Sequence, residues 1–343
     1  MKSADFDYPL PAERIAQEPL AERDASRLLH LPPGGGLEDR GFRELPALLQ
    51  TGDLLVVNDT RVRRARLRGV DAAGRDIELL VLSREEGAEY RCLARPARLA
   101  TAGAVIRFGA DLSATILAVS ATHPGGRTVS FDADDPDAAI ERAGVAPLPP
   151  YIHTDLRDPE RYQTTYAEGD PDSAAAPTAG LHFTAEVIRR LREAGIGWAT
   201  LRLDVGLATF APIRADSVED HPMHEERYAL PAATALAAEQ TRRGGGRVVA
   251  VGTTVVRVLE TCAQDGGTLR AGTGITSLFI RPGFRFRAVD GLLTNFHQPR
   301  SSLLVLLAAF IGEERWQSAY AHAIESGYRF LSLGDCMLCW HAP

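Results

Sequence analysis

The segment between residues 63 and 150 constrains the fold most strongly, because its pattern differs from that of the chain on either side. It contains short apolar runs separated by Gly, Asp and Pro at nearly regular spacing, with little sign of a helix before residue 136. These runs are IELLVL, YRCLAR, AVIRF, ATILAV and RTVSF. Short, evenly spaced strands of this kind are typical of small antiparallel barrels and sandwiches. The sequence therefore predicts a small β-barrel domain over residues 63–150.

The flanking segments follow a second pattern, in which strands alternate with helices. An apolar run ends at Asn58-Asp59-Thr60, and alternation resumes after residue 150. The later segments are WATLRLDV with GLATF, RVVAV with GTTVVRVLETC, and GLLTNFH with QPRSSLLVLLAAFIG. Such alternation predicts an α/β domain with a layered, largely parallel or mixed sheet. Because both flanks share it, we expect residues 1–62 and 151–343 to form one α/β catalytic domain, into which the barrel is inserted.

Length and composition set broad limits. The 343 residues suffice for two domains, and the first twenty lack the apolar segment of a secretory signal. The longest apolar run, Leu303 to Ile311, is far shorter than the roughly 20 residues of a membrane span. Four cysteines among 343 residues do not make a disulfide framework. We therefore expect a cytoplasmic protein without a membrane partner.

Basic residues are unevenly distributed along an acidic chain. The formal net charge is −7, yet the stretch from Arg61 to Arg107 holds eleven arginines against six acidic residues. A local basic region on an acidic protein is expected where a polyanion binds, because arginines that meet phosphates release counterions. Charge alone favours this interpretation no more than the alternative, in which the arginines are the solvated faces of short strands.

Polar residues follow two of the predicted strands and suggest a ligand site. One strand ends at Gly252, and Thr253 and Thr254 then begin a helical pattern. Another ends at Asn295 and His297, and Ser301 or Ser302 is positioned to cap the next helix. A glycine and free N–H groups at the start of a helix let a ligand approach the backbone. The alternatives are that a threonine only caps the helix, and that the amide and imidazole are satisfied by the backbone of a turn.

The stretch PTAGLHF directly precedes an amphipathic helical pattern, TAEVIRRLREAG. Small residues at Ala179 and Gly180 leave room for a ligand, and Thr184 can cap the helix. His182 is then left in a loop, where an imidazole can donate, accept or take up a proton. The alternative is a histidine buried in the core.

Two further segments raise the question of a metal. A third predicted strand ends near Asp204, and the loop DHPMHEERY gathers His221 and His224 with two glutamates. The second segment, CMLCWH, has the cysteine spacing of half a zinc site. Neither segment completes the ligand set of a known metal site. The histidines and glutamates of the loop are equally consistent with acid–base catalysis or with simple exposure to solvent. We therefore expect no metal.

Together, these motifs resemble the S-adenosylmethionine:tRNA ribosyltransferase-isomerases of queuosine biosynthesis (the QueA family), and the resemblance runs nearly end to end. The matching segments are FDYPLPAERIAQEPLAERDASRLL, GDLLVVNDTRVRRARL, RCLARPARL, ERYQTTYA, AAPTAGLHFT, DVGLATFAPI, EDHPMHEERY, AVGTTVVRVLE, FIRPGFRFRAVDGLLTNFHQPRSSLL and YRFLSLGDCML. Ten segments in the same order and spacing make the match highly specific.

The resemblance implies both a fold and a reaction. The fold is an α/β domain interrupted by a β-barrel. The reaction transfers and isomerises the ribosyl part of S-adenosylmethionine onto 7-aminomethyl-7-deazaguanine in the tRNA anticodon. It gives epoxyqueuosine-tRNA and releases adenine and methionine. S-adenosylmethionine is a co-substrate, and no other cofactor is implied.

The resemblance and the chemistry together suggest roles for individual residues. Proton transfer falls to His182, His297 and Asp204. Substrate contacts fall to Thr178, Gly180, Phe183, Gly206, Thr209, His224, Gly252, Thr253, Thr254, Arg257 and Asn295. Contacts to the target base and the anticodon arm fall to Asn58, Asp59, Arg61, Arg63, Arg64 and Arg95. In this scheme the barrel arginines hold the RNA by its phosphates without reading its sequence.

Four positions depart from the family pattern. Asp204 stands where histidine is common, Ala208 where glycine is usual, Val255 in place of serine and Leu333 in place of tyrosine. The change at Asp204 matters most, because a carboxylate with a reference pKa near 4 replaces an imidazole. Two alternatives therefore stay open: the same ribosyl chemistry on an amine or deazapurine outside tRNA, and an RNA-binding paralogue without catalysis.

Overall fold

The computed structural model describes residues 1–85, 89–121, 125–169, 171, 173–206 and 212–341, and it divides into two units. The first unit, called here the α/β unit, comprises Met1–Arg61 and Pro149–Pro343. The second, the barrel unit, comprises Val62–Leu148. Thr209 and Ala208, which the sequence singled out, lie outside the described residues.

The strands, in chain order, are β1 (Arg27–Leu31), β2 (Glu38–Gly41), β3 (Leu54–Asn58), β4 (Arg66–Val70), β5 (Asp76–Arg84), β6 (Glu89–Arg95), β7 (Val105–Phe108), β8 (Leu112–Val119), β9 (Gly126–Asp132), β10 (Gly197–Leu203), β11 (Glu226–Leu230), β12 (Val248–Val251), β13 (Gly272–Thr276), β14 (Gly291–Asn295) and β15 (Cys336–Trp340). The α-helices are α1 (Leu45–Leu48), α2 (Pro136–Ala143), α3 (Ala185–Glu193), α4 (Ala232–Arg243), α5 (Thr253–Cys262), α6 (Ser302–Ile311) and α7 (Glu313–Glu325).

The α/β unit is built on a nine-stranded mixed sheet with the order β13-β11-β10-β3-β12-β14-β15-β1-β2. The pairs β10/β3, β3/β12, β12/β14 and β15/β1 are parallel, and the others are antiparallel. The central strands β10, β3, β12 and β14 therefore run in the same direction, and their carboxyl ends meet at one edge of the sheet.

Both faces of this sheet are covered. Along β3, Leu54 and Val56 belong to one core cluster, whereas Leu55 and Val57 belong to another. Successive side chains of a strand point to opposite faces, so a strand buried on both faces is apolar throughout. Helices α5 and α6 contribute to the first cluster and α3 to the second. The predicted α/β class is confirmed.

The barrel unit is a closed antiparallel barrel with the order β4-β5-β6-β9-β8-β7. Side chains alternate between inside and outside, as Ile77, Leu79 and Val81 on β5 illustrate. The chain enters and leaves this unit side by side, because Arg66 and Val145 exchange both backbone hydrogen bonds, at 3.1 and 2.9 Å. The predicted barrel is confirmed, and its one α-helix in the described residues, α2, begins at Pro136, in agreement with the lack of helical signals before residue 136.

Helix starts agree with the sequence in two places and differ in one. Thr184 caps α3 by accepting the N–H of Val187, and Ser301 caps α6 by accepting that of Leu304. The alternative in which Thr253 or Thr254 caps α5 is wrong, because Gly252 occupies the N-cap position with φ of 92°. This φ lies in the left-handed region that favours glycine.

The described helices are short compared with the thickness of a lipid bilayer. The longest described helix is α7, with 13 residues. None of the helices in the described part of the chain has the length and apolar character that crossing a membrane requires.

Candidate active site

An open cavity of about 610 Å³, called here the main cleft, lies where the parallel strands of the α/β unit end. It is bordered by Val205 after β10, Gly252 after β12, and Asn295 at the end of β14. Ligands of open α/β sheets bind at the carboxyl ends of the strands, where the loops diverge. Thr178, Thr253, Thr254 and His297 also line this cleft, so the structure brings together residues from three predicted segments.

The start of α5 gives the main cleft a polar wall. The Gly252 amide donates to the Leu293 carbonyl at 2.8 Å, which fixes the end of β12 against β14. No side chain among the described residues caps α5. The first N–H groups of a helix have no partner within the helix, and its dipole favours negative charge there. Together with the buried Thr253 and Thr254 hydroxyls, they can bind a carboxylate or sugar hydroxyls.

His297 lies in the wall of the main cleft and is held from several sides. Its Nε2 is 3.1 Å from the Thr294 hydroxyl. Its backbone N–H donates to the Tyr320 hydroxyl at 2.8 Å, and its carbonyl accepts the Tyr8 hydroxyl at 2.5 Å. Burial lowers the pKa of His297 to about 3. The imidazole is therefore neutral near pH 7, and in this environment it is a weak base.

Asn295 is hydrogen-bonded to Leu331, and both residues line the main cleft. Its Nδ2 donates to the Leu331 carbonyl at 3.1 Å, and its Oδ1 has no hydrogen-bond partner among the described residues. Leu331 itself has φ of 69°, a conformation that a leucine rarely adopts. Strain of this kind is often found at functional sites. The Asn295 side chain also interacts with that of His182, whose pKa it raises.

His182 does not line the main cleft but a smaller neighbouring cavity of about 320 Å³, called here the small pocket. Its Nδ1 is 2.8 Å from the Ser26 hydroxyl, and its Nε2 has no hydrogen-bond partner among the described residues. Burial lowers the pKa of His182 to about 4, and the Asn295 side chain offsets this only in part. Ser332 lines both cavities, so the two are adjacent.

A third cavity of about 570 Å³ contains the loop residues His221 and His224 together with Gly206. Its floor is a buried ion pair between Arg257 and Glu226, whose side chains are 7% and 6% exposed. Glu226 Oε1 also accepts the Gly206 N–H at 2.9 Å. Arg257 is therefore already neutralised by a protein carboxylate. Among the described residues, no three His, Cys, Asp or Glu side chains are grouped closely enough to hold a metal ion.

Several predicted residues lie outside the cavities. Asp204 directly follows β10, and its Oδ1 is 3.4 Å from the Thr60 hydroxyl. Gly180 packs so closely that an added Cβ would come within 2.1 Å of the Tyr166 hydroxyl. Phe183 is fully buried against Phe42 and Trp198. Gly180 and Phe183 therefore shape the PTAGLHF segment by packing.

The three residues that follow β3 also differ in role. Both polar atoms of Asn58 bond to the backbone of Leu203, at 2.9 and 3.1 Å, so this side chain joins β3 to β10. Asp59 lies 3.7 Å from Arg202, and burial raises its pKa. Arg61 is partly exposed and lies 3.6 Å from Glu160.

The barrel arginines divide into two groups. Arg63 pairs with Asp137 and Arg64 with Glu141, and both carboxylates lie on α2. Arginines 66, 68, 75, 84 and 91 also have acidic partners. Arg95, Arg98 and Arg107 are exposed and form no ion pair with the described residues. Among the arginines between residues 61 and 107, only these three lack an acidic partner in the described part of the chain.

Comparison with known proteins places these features in context. Residues 3–339 match the model of a family described as queuosine biosynthesis protein. The chain belongs to this family. It is 50% identical to the S-adenosylmethionine:tRNA ribosyltransferase-isomerase of Moorella thermoacetica, covering 98% of this chain and 99% of that protein. It is also 50% identical to the Gloeobacter violaceus protein of the same name, over 97% and 94% of the two chains.

A solved structure is similar as well. The crystal structure of the S-adenosylmethionine tRNA ribosyltransferase from Thermotoga maritima matches with a TM-score of 0.55 at 38% identity. The match covers 97% of this chain and 99% of that one. The resemblance predicted from ten sequence segments is thereby confirmed along nearly the whole chain.

Three of the four departures from the queuosine-family pattern lie in described residues, and each has a different setting. Asp204 contacts Thr60 and does not line a cavity. Val255 is buried in the core cluster beneath α5. Leu333 lines the small pocket. Leu333 is thus the one described departure that changes the wall of a cavity.

Sequence reasoning missed several residues that line the two adjacent cavities. Tyr151 and Ser332 line the main cleft and are joined by a 2.6 Å hydrogen bond between their hydroxyls. Arg23, Ser26 and Arg161 line the small pocket. All but Tyr151 lie in segments that had been matched to the queuosine family, RDASRLL, ERYQTTYA and YRFLSLGD. No local pattern distinguished these residues from ordinary surface residues.

Proposed function

We propose that this chain is an S-adenosylmethionine:tRNA ribosyltransferase-isomerase of the cytoplasm. It transfers and isomerises the ribosyl moiety of S-adenosylmethionine onto 7-aminomethyl-7-deazaguanine in tRNA. The products are epoxyqueuosine-tRNA, adenine and methionine. Family membership and 50% identity to curated proteins of that name, over almost the full length of both chains, support the proposal.

One observation in the structure carries the assignment of the site. The uncapped start of α5, Asn295 and His297 meet in a single cleft of about 610 Å³ at the ends of the parallel strands. Its polar groups suit the functional parts of S-adenosylmethionine: a carboxylate or ribose hydroxyls for the helix start, and hydrogen-bonding atoms of adenine for Asn295.

The chemistry begins with the sulfonium of the co-substrate, which acidifies the adjacent 5′-carbon of the ribose. A base removes a proton there, the resulting electron pair leads to loss of adenine, and the amine of the target base then attacks as methionine departs and the epoxide closes. His297 is the candidate base, because it lines the main cleft and is neutral. His182 acts on the cleft through Asn295, whose side chain it neighbours.

The tRNA partner is assigned by charge. Arg95, Arg98 and Arg107 are exposed barrel arginines without acidic partners among the described residues, so they are available to phosphates of the anticodon arm. Arg63 and Arg64 were predicted to share this role, but carboxylates of α2 already balance their charge. Arg95 remains from the predicted set.

The test is adenine release by the purified protein with S-adenosylmethionine and an anticodon stem–loop RNA. The stem–loop carrying the aminomethyl-deazaguanine is expected to support release, whereas unmodified RNA and the free modified base are not. Release with the free base alone would assign the chemistry to a small-molecule pathway. Complete inactivity with the modified stem–loop would reject the proposed enzyme.

The role of His297 is tested in single-turnover reactions. His297→Gln is expected to lower the rate by roughly 10²–10⁴-fold, the usual contribution of a positioned base. Its affinity for S-adenosylmethionine is expected to stay within a few fold. His153→Gln serves as the matched control, because His153 is exposed and lines none of the three cavities. A full rate in folded His297→Gln would remove this residue from the chemistry.

A further inference from the structure

The small pocket beside the main cleft is bordered by two guanidinium groups, those of Arg23 and Arg161. Arg23 donates to the carbonyls of Leu181 and Glu160, at 3.2 and 2.8 Å. Arg161 donates to the carbonyls of Ala21 and Leu20, at 3.0 and 2.7 Å. Neither forms an ion pair with the described residues. These carbonyls fix the guanidinium planes, and the acidic side chains that act on Arg23, Asp158 and Glu160, offset its burial only in part.

The two charges also act on each other. Burial lowers the pKa of Arg23, and the charge of Arg161 lowers it further, although Asp158 and Glu160 act in the opposite direction. A third guanidinium lies close by, because Arg329 and Arg23 both contribute to lowering the pKa of His182. Burial likewise lowers the pKa of Arg329. Like charges collected in a partly buried place destabilise one another unless an anion joins them.

Unpaired atoms point to a missing ligand as well. Arg161 Nε and Arg329 Nη1 are buried and have no hydrogen-bond partner among the described residues. Buried donors are nearly always satisfied in folded proteins. Arg161 lines the small pocket, so one of these unpaired donors belongs to a residue of its wall.

We propose that the small pocket binds a phosphodiester group of the RNA substrate, next to the nucleotide whose base enters the main cleft. This inference rests on the proposed function, since it assumes that RNA is the acceptor. A phosphodiester is a compact anion whose oxygens accept from several guanidinium groups at once. Ser332 lines both cavities, so an anion in the small pocket lies beside the cleft, as a backbone phosphate lies beside its own base.

The competing anion is the carboxylate of methionine. The main cleft already offers that group the uncapped start of α5, and the small pocket is a separate cavity. Protein contacts to phosphates position a nucleic acid and fix its register. A phosphate held by Arg23 and Arg161 would therefore set the depth to which the target base enters.

The experiment measures binding of the anticodon stem–loop RNA to the full-length protein over a range of KCl concentrations. Arg23→Gln and Arg161→Gln are each expected to reduce the slope of log K against log salt by roughly 0.7–0.9, the value for one lost phosphate contact. Arg23→Lys keeps the charge and is expected to retain most of the slope. Arg315→Gln is the matched control, because Arg315 also donates to a carbonyl, that of Pro32, and lies outside the small pocket.

A second set of RNAs identifies the phosphate. In each, one linkage beside the target nucleotide is replaced by an uncharged methylphosphonate. One replacement is expected to weaken binding to the unaltered protein but to cost nothing further in Arg161→Gln, because both changes remove the same contact. Additive losses at every linkage would overturn the proposal.

Affinity for S-adenosylmethionine without RNA separates the two anions. Unchanged affinity in Arg23→Gln and Arg161→Gln supports the phosphodiester, whereas a tenfold loss with an unchanged salt slope would assign the pocket to the methionine carboxylate. If neither the salt slope nor the affinity for S-adenosylmethionine changed, these arginines would serve only to hold the backbone segments together, and the proposal would be overturned. Adenine release by the unaltered protein is measured separately, so failure of this inference is distinguishable from failure of the proposed function.

Discussion

Arginines of the barrel unit and arginines around the small pocket differ in how their charge is used. In the barrel, most arginines pair with acidic side chains, as Arg75 does with Asp71 and Arg91 with Glu85. Around the small pocket, Arg23 and Arg161 donate only to backbone carbonyls. The barrel therefore has more arginines in its sequence, but a smaller fraction of them is free of ion pairs and able to bind an anion.

A count of charged residues along the sequence therefore does not show how much positive charge a folded surface presents to a ligand. A run of arginines marks a surface, and interleaved acids such as Glu78 and Asp137 neutralise much of it once strands and helices bring them together. Arg23 lies between Glu22 and Asp24, and Arg161 follows Glu160, so neither belongs to a basic stretch of the sequence. The fold nevertheless brings both arginines to the small pocket, where neither forms an ion pair with the described residues.

The largest expected effect concerns the buried ion pair of the α/β unit. Glu226→Gln leaves the charge of Arg257 buried without its partner, so we expect the free energy of unfolding to fall by about 3–5 kcal/mol. Urea unfolding measures this loss. Glu239→Gln, which removes an exposed partner of Arg243 in the same unit, is the control and is expected to cost less than about 0.5 kcal/mol. Equal effects would erase the distinction between buried and surface charge.

The second prediction concerns the dependence of stability on pH. The folded pKa of His182, about 4, lies below the ordinary histidine value of 6.5, so between these pH values the unfolded chain binds a proton that the folded protein does not. Stability is therefore expected to fall as the pH decreases from about 6.5 to about 4, by roughly 3 kcal/mol in total from this group.

His182→Asn is expected to reduce the slope of unfolding free energy against pH within that window, measured by urea unfolding at several pH values. His297, with a pKa lowered to about 3, contributes a slope of the same sign and remains in this variant. The exposed His153→Asn is the control. An unaltered slope in His182→Asn would show that the small pocket is well hydrated.

The third prediction sharpens the comparison on the barrel side. Replacing Arg95, Arg98 and Arg107 together with Gln is expected to lower the salt slope of stem–loop binding by about 2–3 and to weaken binding roughly tenfold or more. Replacing the paired Arg75 and Arg91 instead is expected to change the slope little. Similar losses in both variants would mean that ion pairing does not withhold an arginine from RNA.

The smallest expected effect is on barrel stability. Glu85→Gln removes the partner of Arg91 at 3.3 Å, and both side chains are largely exposed, at 44% and 64%. We expect the free energy of unfolding to change by less than about 0.5 kcal/mol. Thermal or urea unfolding checks this value, and a loss above 1 kcal/mol would reveal cooperative pairing among the barrel charges.

Most of the fold could be predicted because it follows from local periodicity. The strand β3 reads as an uninterrupted apolar run because both of its faces are buried, and β5 alternates because only one face is. Thr184 and Ser301 were identified as caps from their residue type and place. Gly252 was not, because the sequence does not show which of three adjacent residues adopts the left-handed conformation.

The site was only partly predictable. Thr253, Asn295 and His297 follow predicted parallel strands, and such strand ends meet at one edge, so their convergence was expected. His182 was placed with them, although it lies in the neighbouring small pocket beside Ser26. The contribution of Arg23 and Arg161 depends on tertiary contacts between segments more than a hundred residues apart, which no local pattern records.

The paired backbones of Arg66 and Val145 bring the two ends of the inserted barrel side by side. Because an insertion with adjacent ends fixes only the short distance between them, the barrel can change its loops, strands or surface charge while the nine-stranded sheet keeps its register. The two units can therefore accumulate substitutions at different rates. The residues at the ends of the parallel strands can stay unchanged while the sequence of the barrel diverges.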